Sequence, residues 1–150
     1  YNEGQGVPQN DERACAWFEK SAELGDKVAQ CNLGLKYRDG EGVAQDFAKA
    51  RGLLEQAAER GYVKAMEHLA VMYDSGQGVK QDYEKARELY EQAAKLDNVA
   101  AMHNLGVMYY NGQGVPQDFQ KAADWFFKAL KLGHEPARAQ YLACLGRLRK

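Results

Sequence analysis

The side chains best suited to chemistry in this 150-residue chain are Cys31, His68 and His103. They fall on neighbouring copies of one helical segment, and a thiol beside an imidazole is the minimum set for an activated nucleophile. The serines are Ser21, which falls in an alanine column, and Ser75, which ends a helix. Neither is placed to attack a substrate, so the chain is not expected to be an enzyme; a hydrolase is the alternative. Glu67, His68 and His103 are also the candidate metal ligands, but three loosely spaced ligands fall short of a zinc pattern. No metal or other cofactor is expected. A Gly-x-Gly-Val phrase raises the question of a phosphate cradle. Such loops follow a strand and open a helix, whereas this phrase follows a helix and lacks a Lys-Ser/Thr ending.

The phrase occurs four times, beginning at Gly4, Gly40, Gly76 and Gly112 and ending at Asn10, Asp46, Asp82 and Asp118. The step is 36 residues with no drift. A fixed step of this size marks one supersecondary unit stacked on itself. One domain is expected over 1–150, with a partial repeat at 1–28, repeats at 29–64, 65–100 and 101–136, and a capping helix at 137–150.

Within the unit, Ala29/Ala65/Ala101/Ala137, Leu33/Leu69/Leu105 and Tyr37/Tyr73/Tyr109 recur at spacings of four, on one face of a first helix, helix A. Gly34/Ala70/Gly106 border that face and predict close approach by another helix. Gly40, Gly76 and Gly112 stand where a helix ends in a left-handed residue. The second glycine lets the turn pass close to packed backbone, and Val7/Val43/Val79/Val115 pin it to the core. Asp46, Asp82 and Asp118, with Asn10 in the first copy, are the predicted N-caps of a second helix, helix B. Helix B carries an amphipathic stripe through Ala50/Ala86/Ala122 and then Leu53-Leu54, Leu89-Tyr90 or Trp125-Phe126. Trp17-Phe18 share that phase, so core packing is expected for both aromatic pairs. Gly25, Gly61 and Gly133 close helix B, with Asp97 as a degenerate stop in the third copy. The predicted helices are 10–24, 27–39, 46–60, 63–75, 82–96, 99–111, 118–132 and 134–148. The first is expected to expose apolar surface where its own helix A is missing.

The pattern resembles Sel1-like repeats, longer relatives of tetratricopeptide repeats. It is carried by Ala101, Leu105, Gly106, Tyr109, Gly112, Gly114, Val115, Asp118, Lys121 and Ala122, followed by Trp125, Phe126 and Gly133. The departures are Asn10, Ala70, Asp97, Arg51-Gly52 within helix B, and the altered last helix. The resemblance implies an all-α fold, a right-handed α-α superhelix of eight helices with the A helices on the concave side. It also implies a scaffold or adaptor for protein partners. A cysteine-rich bacterial branch of the family, linked to penicillin binding, makes a cell-wall or β-lactam hydrolase the alternative reading. That branch's cysteines match Ala58/Met66 and Ala94/Met102 here, so its chemistry is not carried over.

If Ala29, Leu33 and Tyr37 face inward, 100° steps put Val28, Cys31 and Leu35 opposite, flanked by Asn32 and Arg38. The equivalents include Glu67, His68 and Asp74, then His103, Asn104 and Tyr110. These columns vary between units while the core columns do not. Cys31, Asn32, Arg38, Glu67, His68, Asp74, His103, Asn104 and Tyr110 are therefore the candidate partner-binding residues, for a peptide or helix laid along the groove. The net charge of −1 offers no footprint for nucleic acid. No run of about 18 apolar residues predicts a membrane span. A soluble protein is expected, cytoplasmic, or periplasmic or secreted if a leader was removed. End-to-end self-association through the terminal helices is a further expected contact. The three cysteines share no spacing. They are read as small buried side chains, with a Cys15–Cys31 bridge as the alternative.

Overall fold

Apolar side chains recurring every three to four residues can be removed from water together only on helices that bury one stripe. A computed structural model describes the backbone of residues 6–150, with side chains at residue 10 and from residue 12 onward. It contains α1 (Gly6–Glu23), α2 (Lys27–Asp39), α3 (Phe47–Glu59), α4 (Val63–Ser75), α5 (Tyr83–Lys95), α6 (Val99–Asn111), α7 (Phe119–Lys131) and α8 (Ala137–Leu148). No strand occurs among the described residues. Even-numbered helices are the A segments and odd-numbered ones the B segments. Each packs chiefly against the helices before and after it in the chain.

The phrase between helices A and B is held by its own repeated residues. Gly40, Gly76 and Gly112 are left-handed, at φ of 70°, 69° and 70°. The Asp46, Asp82 and Asp118 N–H groups then donate back to the Tyr37, Tyr73 and Tyr109 carbonyls at 2.8, 2.9 and 2.9 Å. Their carboxylates cap helix B, accepting from the N–H groups of Lys49, Lys85 and Lys121 at 3.1, 3.1 and 3.0 Å. The glutamine before each aspartate ties down one more orphan carbonyl. Gln45, Gln81 and Gln117 donate to the carbonyls of Arg38, Asp74 and Tyr110 at 2.8, 2.6 and 2.9 Å. The lysine of each Asp-x-x-Lys sits over the tyrosine that ends helix A, 5.2, 5.2 and 5.5 Å from the ring centre. The second glycine faces a side chain rather than backbone. A Cβ at Gly78 or Gly114 would run into Phe47 or Tyr83, the first residue of the preceding helix B.

The core columns are buried as their spacing predicts. Ala65, Ala101, Ala137, Leu105, Ala50, Ala86 and Ala122 are fully covered, as are Leu54, Tyr90 and Phe126. Burying each of the larger side chains stabilises by about 2–3 kcal/mol. Gly34 and Gly106 lie against helix B of their own unit. A Cβ would stand 3.1 Å from Leu54 at Gly34 and 2.6 Å from the Phe126 ring at Gly106. Asp97 takes the left-handed φ, 61°, that glycine takes in the other units.

Three expectations change. Asn10 is not an N-cap: α1 begins at Gly6 and Asn10 lies inside it, exposed. The carbonyl that would anchor this copy of the turn belongs to Tyr1, outside the described residues, as does Gly4. Pro8 fits the first turn of a helix because its missing N–H would have had no helical acceptor. Trp17 is 75% exposed although Trp125, at the same phase, is half-buried. Trp125 lies beside Ala94 of the preceding helix B and Met102, and no helix B precedes α1 in this sequence. Its partner Phe18 is half-buried, and Leu24 at the end of α1 is 89% exposed. Last, α8 starts at Ala137 rather than residue 134, because Pro136 disfavours the helical conformation at Glu135. The cysteines form no bridge: Cys15, Cys31 and Cys144 are buried thiols.

Two glycines separate helix propensity from turn geometry. Gly52 is inside α3 with nothing within 4 Å of an added Cβ. Gly52→Ala is expected to raise unfolding free energy in urea by about 0.5–1 kcal/mol. Gly112→Ala, forced into the left-handed region, is expected to lower it by about 1–2 kcal/mol.

Candidate partner-binding surface

The predicted binding columns lie on the A helices, and the structure joins most of them across the junctions between units. Position 31 of one unit meets the residue that precedes helix A of the next. Glu67 accepts a hydrogen bond from the Asn98 side-chain amide at 2.9 Å. Asn98 also caps α6, its Oδ1 accepting from the Ala101 N–H at 2.8 Å. One unit later, His103 and His134 share a ring-nitrogen hydrogen bond of 2.8 Å. Gln140 approaches the other nitrogen of His103 at 3.4 Å. The His103 ring also stands edge-on to Phe126, 5.5 Å between centres.

Position 38 reaches across a junction at Arg38, and stays within its own unit at Asp74 and Tyr110. Arg38 is clamped by Asp39 through two hydrogen bonds, 2.8 and 3.0 Å, and lies 3.4 Å from His68 Nδ1. Asp74 accepts from the Tyr90 hydroxyl at 3.3 Å, and the Asn104 side chain bonds the same hydroxyl. Burial pushes the Tyr90 phenol up and raises the Asp74 carboxyl above its ordinary range. Tyr110 meets Phe119 edge-on at 5.2 Å. Asn32 is half-buried.

Cys31 departs from the expected site. It is 1% exposed, packed among Leu54, Ala57, Ala65, Leu69 and Met72, with Tyr62 against the cluster. The 100° projection places it on the far side of α2, but the next unit covers that side. It presents nothing to a partner, and burial pushes its thiol up to about 11. At neutral pH it is therefore not a nucleophile. Ser75 donates to the Val71 carbonyl, which is not a base, and Ser21 to Asp26, whose carboxyl is held below its ordinary range by the Ala29 and Val28 N–H groups it caps and is therefore a poor base. Glu67, His68 and His103 do not converge: each is engaged with a different neighbour. Among the described residues no group of three metal-ligating side chains could hold an ion.

Sequence reasoning overlooked the column just before helix A. Asp26, Asn98 and His134 occupy it, and the first two cap their helices. The signal was present in an Asx residue before an apolar-periodic run, although Tyr62 breaks the column.

The Sel1 repeat family model matches residues 1–26, 27–62, 63–98 and 99–134. The chain belongs to the Sel1 repeat family. Solved Sel1 structures agree with the fold. A Sel1 repeat protein from Oxalobacter formigenes shares 34% identity at TM-score 0.84, over 94% of this chain and 58% of that one. Also similar is c5321, a protective antigen of uropathogenic Escherichia coli with an SLR fold. It shares 37% identity at TM-score 0.86, over 93% of this chain and 30% of that one. Helicobacter pylori cysteine rich protein B shares 26% identity at TM-score 0.69, over 91% of this chain and 98% of that one. The chain thus spans 58% and 30% of the first two relatives. No curated protein matches the sequence significantly. The Sel1 fold is a right-handed α-α superhelix, and the eight helices here form one. No helix is long and apolar enough to cross a membrane among the described residues.

Burial holds the His68 and His103 imidazoles below the ordinary histidine range. The unfolded chain therefore binds more protons than the folded one just below about pH 6.5, and stability falls as pH drops through that window. Urea midpoints should decrease from pH 7 to pH 5. The double variant His68→Gln/His103→Gln should show a shallower decrease; an unchanged slope would contradict the assignment.

Proposed function

We propose that this Sel1 domain is a protein–protein interaction module that takes an extended peptide or a helix along the face of its A helices. Sel1 repeat proteins generally mediate protein–protein contacts; the finer reading concerns which face and which residues. The observation that carries it is a seam of half-buried polar and aromatic side chains running from α2 to α8. Asn32, Arg38, Glu67, His68, Asp74, His103, Asn104 and Tyr110 all lie on it. Most are already fixed by neighbours, so a partner would meet ordered side chains and less ordering entropy would oppose binding. Stacked repeats present extended surfaces of this kind. We infer no catalytic role, because Cys31 is buried, Ser75 donates to a backbone carbonyl, and Ser21 meets only the weakly basic, helix-capping carboxylate of Asp26.

End-to-end association draws on the exposed Trp17 and Leu24 of α1. The α8 end does not complement it in the repeat's own register. Leu142 occupies the column of Gly34, Ala70 and Gly106, where a helix B lies too close for a large side chain. The α8 helix is therefore read as a cap.

The direct test is capture of protein partners on the immobilised domain, with and without Arg38→Ala/Tyr110→Ala. Helix content by circular dichroism should be retained. Affinity for a partner should fall by about tenfold or more, as for centrally placed interface side chains. Equal capture by both proteins would remove the helix-A face from the account.

A further inference from the structure

On the B-helix side of the repeat a groove lies at each junction, between consecutive B helices and over the helix A that separates them. Between α5 and α7 it is a concavity of about 430 Å³, within the general range of ligand sites. Its floor is apolar, from Ala94, Met102, Trp125 and Leu132, and its rim carries Lys95, Lys128 and Lys131. All three lysines are exposed. Lys128 Nζ lies 4.5 Å above the Trp125 ring and Lys131 Nζ 5.6 Å from Phe127. None of the three is in an ion pair among the described residues.

The repeat supplies its own comparison. The same rim positions read Glu23, Gln56 and Glu59 at the first junction, and Glu59, Gln92 and Lys95 at the second. The floor position of Trp125 is Leu53 and then Leu89. Packing tolerates all these residues, so packing does not demand three cations around an indole at the last junction. The rim charge runs from minus two through zero to plus three. Asp97, beside the last rim, brings that groove to plus two.

We propose that the α5–α7 groove is a second docking site, and that its occupant is an acidic peptide segment carrying one bulky apolar anchor. Three ammonium groups around one floor repel each other, and carboxylates on both sides of an anchor relieve that repulsion. Trp125 with Met102 and Leu132 receives the anchor, and aromatic floors are favoured contact points. A flat anionic membrane fits less well. The adjoining grooves carry Glu23 and Glu59, which such a surface would repel, and the cations surround a concavity.

The test uses Trp17→Phe protein, in which Trp125 is the remaining tryptophan of two. The probe is a hexapeptide of four glutamates flanking Leu-Phe, titrated at low salt. Saturable change in Trp125 emission is expected, with a Kd of about 100 μM or lower. Lys128→Glu/Lys131→Glu, on exposed positions, should weaken it by about tenfold or more. Arg38→Ala/Tyr110→Ala should leave it unchanged, which separates this site from the helix-A face. The proposal is overturned by absence of saturable binding to about 1 mM. It is also overturned by equal binding of a lysine-flanked Leu-Phe peptide, equal binding to the charge-reversed protein, or binding to phosphatidylserine vesicles alone.

Discussion

Helices A and B of a unit can lie as close as they do because a small residue on one faces a large side chain on the other. At Gly106 the Phe126 ring occupies the space a Cβ would need, and at Gly34 the Leu54 side chain does so. Ala70 and Tyr90 are the counterparts in the third unit, both fully buried in one cluster. This interlock sets the distance between the two helices. The turn's caps and carbonyl ties then have one geometry to satisfy, and the phrase repeats because that geometry repeats. A unit built in this way exposes apolar surface on both flanks, which only another unit covers. The result is a linear stack whose stability comes from units and the junctions between them.

The junctions are where the units differ. Cys31 sits in an apolar cluster that Tyr62 packs against, Glu67 with Asn98 is a charge-assisted hydrogen bond, and His103 with His134 a shared hydrogen bond. Arg38 beside His68 follows the same logic, while Asp74 bonds Tyr90 of its own unit. Positions that look free to vary, one at a time, vary as pairs across a junction. An exchange at one member alone leaves a buried polar group without its partner, which is costly. The A-helix face is thus both an inter-unit joint and an outward surface. On the B side the rim side chains differ between junctions, and their charge accumulates toward one end.

What was legible in the sequence is what the backbone demands. Glycines at φ near 70°, aspartates before helix B and alanines under a crossing helix are residue types chosen by local geometry, so spacing reveals them. Asp97 was read correctly because it stands where the repeat calls for a helix stop. Asn10 was misread because α1 already begins at Gly6, which puts Asn10 inside the helix rather than before it. Trp17 was misread because burial at that phase comes from the preceding unit, a neighbour no periodicity supplies. Cys31 is a small buried side chain, as its type suggested; the helical wheel that set it on the binding face considers one helix, while its cover comes from the next unit. The glutamine of each phrase, 45, 81 and 117, was passed over because its role depends on a carbonyl seven residues back. The proposed binding face was legible only as variability, and the contacts behind that variability required coordinates.

The small-against-large interlock is best tested by a double-mutant cycle on Gly106→Ala and Phe126→Leu, followed by urea unfolding. Alone, the alanine should cost about 1–3 kcal/mol through overpacking against the ring, and the leucine about 1–2 kcal/mol through a cavity. Combined, the smaller leucine eases the contact: an added Cβ stands 3.1 Å from Leu54 at Gly34, against 2.6 Å from the Phe126 ring at Gly106. The double variant should then lose at least about 1 kcal/mol less than the two single losses together. Strict additivity, or an alanine variant as stable as the parent, would contradict the claim that this contact sets the helix spacing.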